Sequence, residues 1–393
     1  MPRSKPPAVS RAYRCQCGRP IFLRNTQCVN CGSQLGYDIE RLTMVALRPG
    51  AAPELWHRVA DATAASSGGD DNYWCCINRQ SASACNWLIK ANPQLASPVQ
   101  PQRMICLSCS LTRGMFDITK ARNQHYWRQL EGAKRRLLSQ LLALRLPVQP
   151  KSESDDGVVF DMLEVTADGK PVMTGHHNGV ITLNVAEADD VHRETIRASM
   201  HEPYRTLLGH FRHEIGHYYW DRLVRDEPAR LADFRALFGD ERQDYAKALE
   251  RHYRQGPPVD WPVHYLTSYA STHPWEDWAE TWAHYLHITD TIDTAASFGI
   301  DANQADTESE PFDARFLWRP DLSTAGDFLN LLNDWVRLTQ VMNELTRSMG
   351  QTDCYPFVLP YRVVGKLQFI HEIVLSQRLR HEAPDAALDA LPA

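Results

Sequence analysis

The chain has 393 residues, 43% of them hydrophobic and 23% charged, an ordinary composition for a globular protein of two or three domains. It contains no apolar run of about 18 residues, so we expect neither a transmembrane helix nor a membrane partner. The basic N-terminus, MPRSKPPAVSRAYRC, is not followed by the apolar core of a secretory signal, so we expect a cytoplasmic protein.

Charge and cysteine are both distributed unevenly along the chain. Residues 1–150 carry 20 Lys and Arg against 8 Asp and Glu, a balance of +12, which leaves −18 for the remainder of a chain whose net charge is −6. This surplus would allow the front to bind a protein or nucleic-acid partner, whereas the acidic back is a poor surface for nucleic acid. Nine of the ten cysteines precede residue 110, and in a reducing compartment such clusters are more often metal ligands than disulfides.

A first cysteine cluster follows residues 1–12, which we expect to be a disordered lead-in. It reads CQC, ten residues, then CVNC, and consists of Cys15, Cys17, Cys28 and Cys31. A glycine follows each pair, as tight turns would require. The spacing predicts a hairpin whose four thiolates hold one structural zinc ion, a zinc ribbon. Reduced or disulfide-linked cysteines are the alternative.

A second cluster follows a predicted linker over 61–72 and offers five cysteines for four ligand positions. Cys106 and Cys109 form a CxxC pair, and Cys85 with either Cys75 or Cys76 completes the set. This pattern predicts a second closed zinc site, so we expect one or two structural zinc ions.

The segment KARNQHYWRQLEGAKRRLLSQLLALRLP carries an apolar stripe of helical period that stops at Pro147. Its other face carries Lys134, Arg135 and Arg136, which we interpret as a solvated basic face, with a specific anion site as the alternative. After a second linker over 150–157, VVFDMLEV and GVITLNV are predicted strands. The second of these is either an edge strand beside a cleft, where a peptide could add as a further strand, or an ordinary core strand.

Helical patterns fill most of the remaining chain. They are predicted from about residue 191, from Pro203 through RTLLGHFRHEIGHYYWDRLV, twice within 228–254, over PWEDWAETWAHYLHI, over 325–349 and over 361–378.

Residues 210–220, HFRHEIGHYYW, contain the pattern HExxH. His213 and His217 are four residues apart and therefore lie on one face of a helix, where both can bind one metal ion. Glu214 lies about 100° round the helix from His213, where it can act as general base rather than as ligand. A buried, hydrogen-bonded histidine pair is the alternative interpretation.

The third ligand is predicted from residues 268–288, SYASTHPWEDWAETWAHYLHI. Glu276, Glu280 and His284 share one helix face, and two carboxylates there are costly to bury without a cation or hydrogen-bond donors. We expect Glu276 to bind the metal and Glu280 to orient a histidine ligand. His284, which we also place in the shell behind the ligands, is the strongest competitor to Glu276. The other nearby histidines are expected to be structural: His176, His177, His210 and His273.

The same segment resembles the zinc helix of gluzincin metallopeptidases of the anthrax lethal factor type. Their pattern is Tyr, six residues, Glu, three residues, Glu, which Tyr269, Glu276 and Glu280 match. The resemblance implies that Glu276 is a zinc ligand, that Glu280 supports the ligands, and that Tyr269 stabilises the oxyanion of the transition state. It covers this short segment only.

A second resemblance covers nearly the whole chain. NCGSQLGYD, EGAKRRLL, TGHHNGVITLNVAEADDVHRE, FGDERQDY and HPWEDWAETWAHYLH are similar to a bacterial family of zinc-binding metallopeptidases with an N-terminal zinc ribbon. The second cluster of that family contains Cys-x-Asn, which Cys76 and Asn78 match. The resemblance therefore implies Cys76 as the ligand and leaves Cys75 as a departure from the pattern.

These features predict an α+β protein in which zinc-ribbon modules precede a mainly helical, zincin-like peptidase domain with a small β-sheet. The predicted divisions are a zinc ribbon over 1–60, a second four-cysteine module over 61–115, a bridging helix over 116–150 and the peptidase domain over 151–393.

We expect a zinc-dependent peptidase that acts on a peptide or protein, with one catalytic zinc ion and Glu214 as general base. One alternative is a binding or regulatory protein whose ribbons recruit a partner on a peptidase-like scaffold. The intact Glu214 argues against it, because a scaffold has no need of a base. A hydrolase of non-peptide amides is a further alternative.

Overall fold

The computed structural model describes residues 10–50, 55–59, 71–91, 104–165, 169–170, 172–200 and 202–382. The predicted lead-in over 1–12 and the predicted linker over 61–72 lie outside these residues, except for 10–12 and 71–72. The predicted α+β class is confirmed, because a strand-rich front carrying the cysteine clusters precedes a mainly helical back with a small sheet.

The front of the chain forms a two-stranded ribbon and an antiparallel five-stranded sheet. The ribbon pairs β1 (Tyr13–Arg14) with β2 (Pro20–Ile21). The sheet contains, in both chain and spatial order, β3 (Gln34–Asp38), β4 (Thr43–Pro49), β5 (Leu55–Arg58), β6 (Asn72–Cys75) and β7 (Leu88–Lys90). Since β5 pairs with β6, the boundary predicted at residue 60 falls between two paired strands, and both cysteine clusters adjoin one sheet.

A four-stranded sheet joins the front of the chain to its back. Its strands are β8 (Thr112–Gly114), β9 (Val159–Leu163), β10 (Gly175–His177) and β11 (Val180–Asn184), in the spatial order β10-β11-β9-β8. The strand predicted from GVITLNV, β11, lies inside the sheet and not at its edge, because it pairs with β9 on one side and β10 on the other. Its core alternative is therefore correct, and the adjacent terminal strand is β10.

Ten α-helices are assigned within the described part of the chain. They are α1 (Leu107–Ser110), α2 (Ala121–Ala143), α3 (Asp190–Ser199), α4 (Leu207–Leu223), α5 (Pro228–Phe238), α6 (Tyr245–Gln255), α7 (Trp261–His264), α8 (Pro274–Ser297), α9 (Ala325–Ser348) and α10 (Tyr361–Glu382). The start predicted at Pro203 for α4 is wrong. The Thr206 hydroxyl accepts a hydrogen bond from the Gly209 N–H at 3.0 Å, so Thr206 is the N-cap and the helix begins after it. No helix in the described ranges is sufficiently long and apolar to cross a membrane.

The interpretation of α2 as a helix with a solvated basic face is wrong. The Lys134 ammonium is fully buried and lies 2.7 Å from Glu131 Oε1. Arg135 is also buried and donates to the Ser83 carbonyl at 2.8 Å. Burying these cations is tolerable because each has an acceptor inside the protein, so this face of α2 belongs to the core.

Helices α4 and α8 pack closely, and this contact positions the histidine motif. A Cβ added to Gly216 would lie 3.1 Å from Trp282 Cβ and 3.2 Å from Ala279 Cα, which is tighter than ordinary van der Waals contact. The Trp278 indole N–H donates to the Gly216 carbonyl at 2.8 Å. Gly216, in the middle of the HExxH pattern, therefore lets the backbones of the two helices approach.

A buried carboxylate ties four parts of the chain together. Asp290 on α8 accepts hydrogen bonds from Arg11, which precedes the first cysteine cluster, at 2.8 and 3.1 Å. It also accepts from Arg136 on α2 and from Arg212 on α4, each at 2.9 Å. Burial by itself would raise the pKa of Asp290, but the three guanidinium groups outweigh it and lower that pKa to about 2.

Replacing Asp290 by Asn should destabilise the protein by about 3–5 kcal/mol, because three cations at a buried site would lose their anion. Denaturant unfolding at pH 7 measures this, with Asp226→Asn, an exposed surface pair, as the matched control. Since the pKa of Asp290 is depressed on folding, its contribution is present above the unfolded pKa of about 4 and is lost as the pH falls towards 2. The stability difference between the wild type and D290N should therefore shrink below about pH 4; a constant difference would contradict the assignment.

Candidate metal centres

The first cysteine cluster forms a compact group of four sulfurs. Cys15, Cys17, Cys28 and Cys31 each contribute one sulfur, and all four lie within 4.8 Å of one another. The backbone turns back at each pair as the glycines predicted, since the Gly18 and Gly32 N–H groups donate to the carbonyls of Cys15 and Cys28. The disulfide alternative does not apply, because all four cysteines are free, with sulfur separations of 3.6 Å for Cys15 and Cys31 and 3.8 Å for Cys17 and Cys28.

In the second cluster, the sulfur of Cys76 belongs to the four-sulfur group and that of Cys75 does not. The four sulfurs within 4.8 Å of one another belong to Cys76, Cys85, Cys106 and Cys109, all of which are buried. Cys75 is the last residue of strand β6, while Cys76 precedes the 3-10 turn Ile77–Arg79. Successive side chains of an extended chain point in opposite directions, so only one of the two adjacent cysteines can face the group.

A third group, here called the histidine group, consists of His213, His217 and Glu276 and joins helices α4 and α8. His213 Nε2 and His217 Nε2 are 3.2 Å apart on α4. Glu276 on α8 places Oε2 3.0 Å from His213 Nε2 and Oε1 3.6 Å from His217 Nε2. One atom from each residue lies within 4.8 Å of the others, so the structure brings together the three ligands predicted from the sequence.

Glu280 and Thr267 fix the orientation of His213. Glu280 Oε1 lies 2.7 Å from His213 Nδ1, and the Thr267 hydroxyl donates to Glu280 Oε2 at 2.8 Å. A carboxylate accepts the proton of Nδ1, which leaves the lone pair of Nε2 directed at the group. This is the supporting position that the sequence predicted for Glu280.

The hydrogen bonding of the acidic residues fits a bound cation. Glu214 is buried, and its Oε2 has no hydrogen-bond partner among the described residues. Glu276 Oε2 is close to His213 Nε2 but is not aligned to accept a hydrogen bond from it, again within the described part of the chain. Buried oxygens of this kind are costly unless a cation or a water completes the site. Burial raises the pKa of Glu214, although the two imidazoles oppose this shift.

Aromatic rings enclose the group. The Trp275 ring centroid lies 3.9 Å from that of His217, and the His176 ring lies nearly parallel to His217 at 6.3 Å. Tyr269, in the 3-10 turn Tyr269–Ser271, places its ring 6.1 Å from that of His213. Burial, followed by the nearby Glu276 carboxylate, raises the pKa of Tyr269, which keeps the hydroxyl protonated.

His284 is not among the ligands that the structure brings together, and its role behind them stays a prediction. Its Nδ1 lies 2.7 Å from the Tyr355 hydroxyl, and its ring lies against Phe357, outside the three-residue group. The other histidines behave as structural residues: His176 accepts from the Gly179 N–H, His210 lies 3.0 Å from Glu187, and His273 caps α8, while His177 is exposed on β10.

Sequence reasoning missed Tyr245. Its hydroxyl donates to Glu276 Oε1 at 2.6 Å from helix α6, thirty-one residues before its acceptor. The string FGDERQDY, which ends at this tyrosine, contributed only to the resemblance, and no periodicity points to a contact with Glu276.

Comparison with known proteins identifies the class to which the chain belongs. Residues 123–373 match the profile of a family described as "Putative zinc-binding metallo-peptidase", and residues 12–120 match a zinc-ribbon domain. The chain therefore belongs to this metallopeptidase family and carries a zinc ribbon at its N-terminus. The family descriptions and the two four-cysteine groups together support zinc binding.

Its relatives include uncharacterized proteins of Mycobacterium tuberculosis strains CDC 1551 and H37Rv and of Mycobacterium bovis. Each is 41% identical over 366 residues, which cover 93% of this chain and 95% of the relative. No solved structure matches the chain significantly.

The choice between the adjacent cysteines is testable by substitution. Cys76→Ser should lower the zinc content of the purified protein by one ion per chain, because a four-sulfur site would lose a ligand. Cys75→Ser is the matched control and should leave the zinc content unchanged, as measured by mass spectrometry of the metal. The reverse result would overturn the assignment.

Glu280→Gln should weaken zinc binding at the histidine group about 10- to 100-fold, because the partner of His213 Nδ1 would lose its charge. Chelator competition on the full chain measures this, and the two cysteine groups should keep their ions. Glu194→Gln, an exposed surface pair, is the control. Unchanged zinc affinity in E280Q would contradict the supporting role.

Proposed function

We propose that the protein is a zinc-dependent peptidase with a gluzincin-like centre, in which His213, His217 and Glu276 hold the ion. The observation that carries this proposal is the convergence of these three ligands, within 4.8 Å, beside a buried glutamate whose Oε2 lacks a partner among the described residues. The three protein ligands are imidazoles and a carboxylate, the donor set of zinc centres that retain an open position.

Zinc bound here would supply Lewis acidity, which polarises a peptide carbonyl and lowers the pKa of water from 15.7 to about 7. Glu214 follows His213 on the same helix, and its Oε2, which has no partner among the described residues, is the proposed acceptor of the proton of the attacking water. The same oxygen then delivers that proton to the leaving amine. Burial favours this role, because it raises the pKa of Glu214 towards the range in which a carboxylate exchanges protons.

Tyr269 is proposed as the hydroxyl that stabilises the oxyanion. Its ring lies beside His213, and its raised pKa keeps the O–H available as a donor. In this role the hydroxyl would stabilise the transition state by donating to the negative charge that develops on the carbonyl oxygen.

A peptide substrate is proposed to lie along strand β10. This strand ends the four-stranded sheet, next to the internal strand β11, and it carries His176, whose ring faces His217. An extended peptide that pairs with β10 would place its backbone beside the histidine group, with main-chain hydrogen bonds setting the register.

Glu214→Gln tests the proposed reaction. Zinc content should remain that of the wild type, because Glu214 is not a ligand, while hydrolysis of a quenched fluorescent peptide library should fall by about 10²- to 10⁴-fold. Glu344→Gln, an exposed pair with Arg347, is the control for the loss of one carboxylate and should keep full activity. Turnover retained in E214Q would refute the base assignment, and a wild type that binds only two zinc ions would refute the centre itself.

A further inference from the structure

Helix α6 buries little of its surface, although it contributes a side chain to a buried site. Ala248 is the only buried residue among its eleven. The segment that carries it is bounded by Gly239 and Gly256, whose φ angles of 105° and 75° favour glycine. With so little apolar surface buried, the position of α6 depends on a few specific contacts.

One of those contacts is made with the histidine group, and another is made with Tyr269 beside it. The Tyr245 hydroxyl, at the first residue of α6, donates to Glu276 Oε1 at 2.6 Å. Seven residues further along the same helix, the His252 ring lies perpendicular to the Tyr269 ring, with their centroids 6.0 Å apart. The helix therefore touches both the carboxylate of the group and the tyrosine beside it.

The contact with Tyr245 gives the two carboxylate oxygens of Glu276 different neighbours. Oε1 accepts the tyrosine hydrogen bond, while Oε2 faces His213 Nε2 at 3.0 Å without a directed hydrogen bond from the described residues. A carboxylate can bind a metal ion through one oxygen or through both. A donor on Oε1 favours binding through Oε2 alone and fixes the rotation of the carboxylate, as hydrogen bonds to metal ligands commonly do.

We propose that Tyr245 is a positioning residue for the metal ligand Glu276 and that its hydrogen bond couples the placement of helix α6 to zinc binding. The inference rests on the proposed function, since it takes Glu276 as a ligand. Its consequence is reciprocal: a bound ion that fixes Glu276 also fixes α6, and displacement of α6 weakens zinc binding.

Tyr245→Phe removes the hydroxyl and keeps the ring, so the test uses the full chain with little risk to its folding. Zinc affinity at the histidine group, measured by chelator competition, should fall about 10- to 100-fold. The two cysteine groups should retain their ions, and the rise in unfolding midpoint on adding zinc to protein stripped at the histidine group should be smaller in Y245F than in the wild type, which a merely structural role would not change. Tyr361→Phe is the matched control, because this tyrosine stacks on Phe316 outside the group.

Amide hydrogen exchange provides the second measurement. In the wild type, zinc at the histidine group should slow exchange across residues 245–255, and in Y245F this zinc-dependent protection should be lost. Wild-type zinc affinity together with undiminished protection in Y245F would overturn the proposal while leaving the peptidase function intact. If the wild type binds no third ion, and Glu276→Ala loses none, the proposed function fails and the inference fails with it.

Discussion

The close approach of helices α4 and α8 is the contact on which the rest of the structure depends. Both histidines of the candidate centre lie on α4, and both carboxylates that face them lie on α8, so the group exists only at this interhelical distance. Gly216 permits the approach, because a Cβ there would press on Trp282 and Ala279. Helix packing therefore explains the glycine at position 216, and the candidate metal centre depends on the contact between the two helices.

Ion pairs between the front and the back of the chain account for part of their difference in charge. Part of the basic surplus of the front is paired with acidic residues of the back, since Arg11 and Arg136 reach the buried Asp290 and the exposed Arg113 reaches Asp161. These pairs cross every predicted division of the chain, and the buried core is continuous from the cysteine clusters to α8. The zinc-ribbon front and the helical back therefore share one core, and the charge asymmetry is in part an internal complementarity and not only a signal to partners.

Much of the site follows from local periodicity alone. Residues four apart on a helix share a face whatever surrounds them, which is why His213 and His217 were identifiable together and why Glu276 and Glu280 were identifiable as a second pair. The cysteine spacing likewise indicated two four-sulfur groups, because tight turns at each pair leave few other arrangements. The sequence by itself therefore determined which side chains could act together within each element, and the α+β order of those elements.

Tertiary structure decided which of these faces meet. It placed β11 inside its sheet, buried the basic face of α2, turned His284 towards Tyr355, and brought Tyr245 to Glu276. None of these outcomes has a periodic signature, because each depends on the distance between elements far apart in the chain. Sequence patterns specify which residues share one face of a helix or strand. Which other element packs against that face depends on how all the elements pack together in one core.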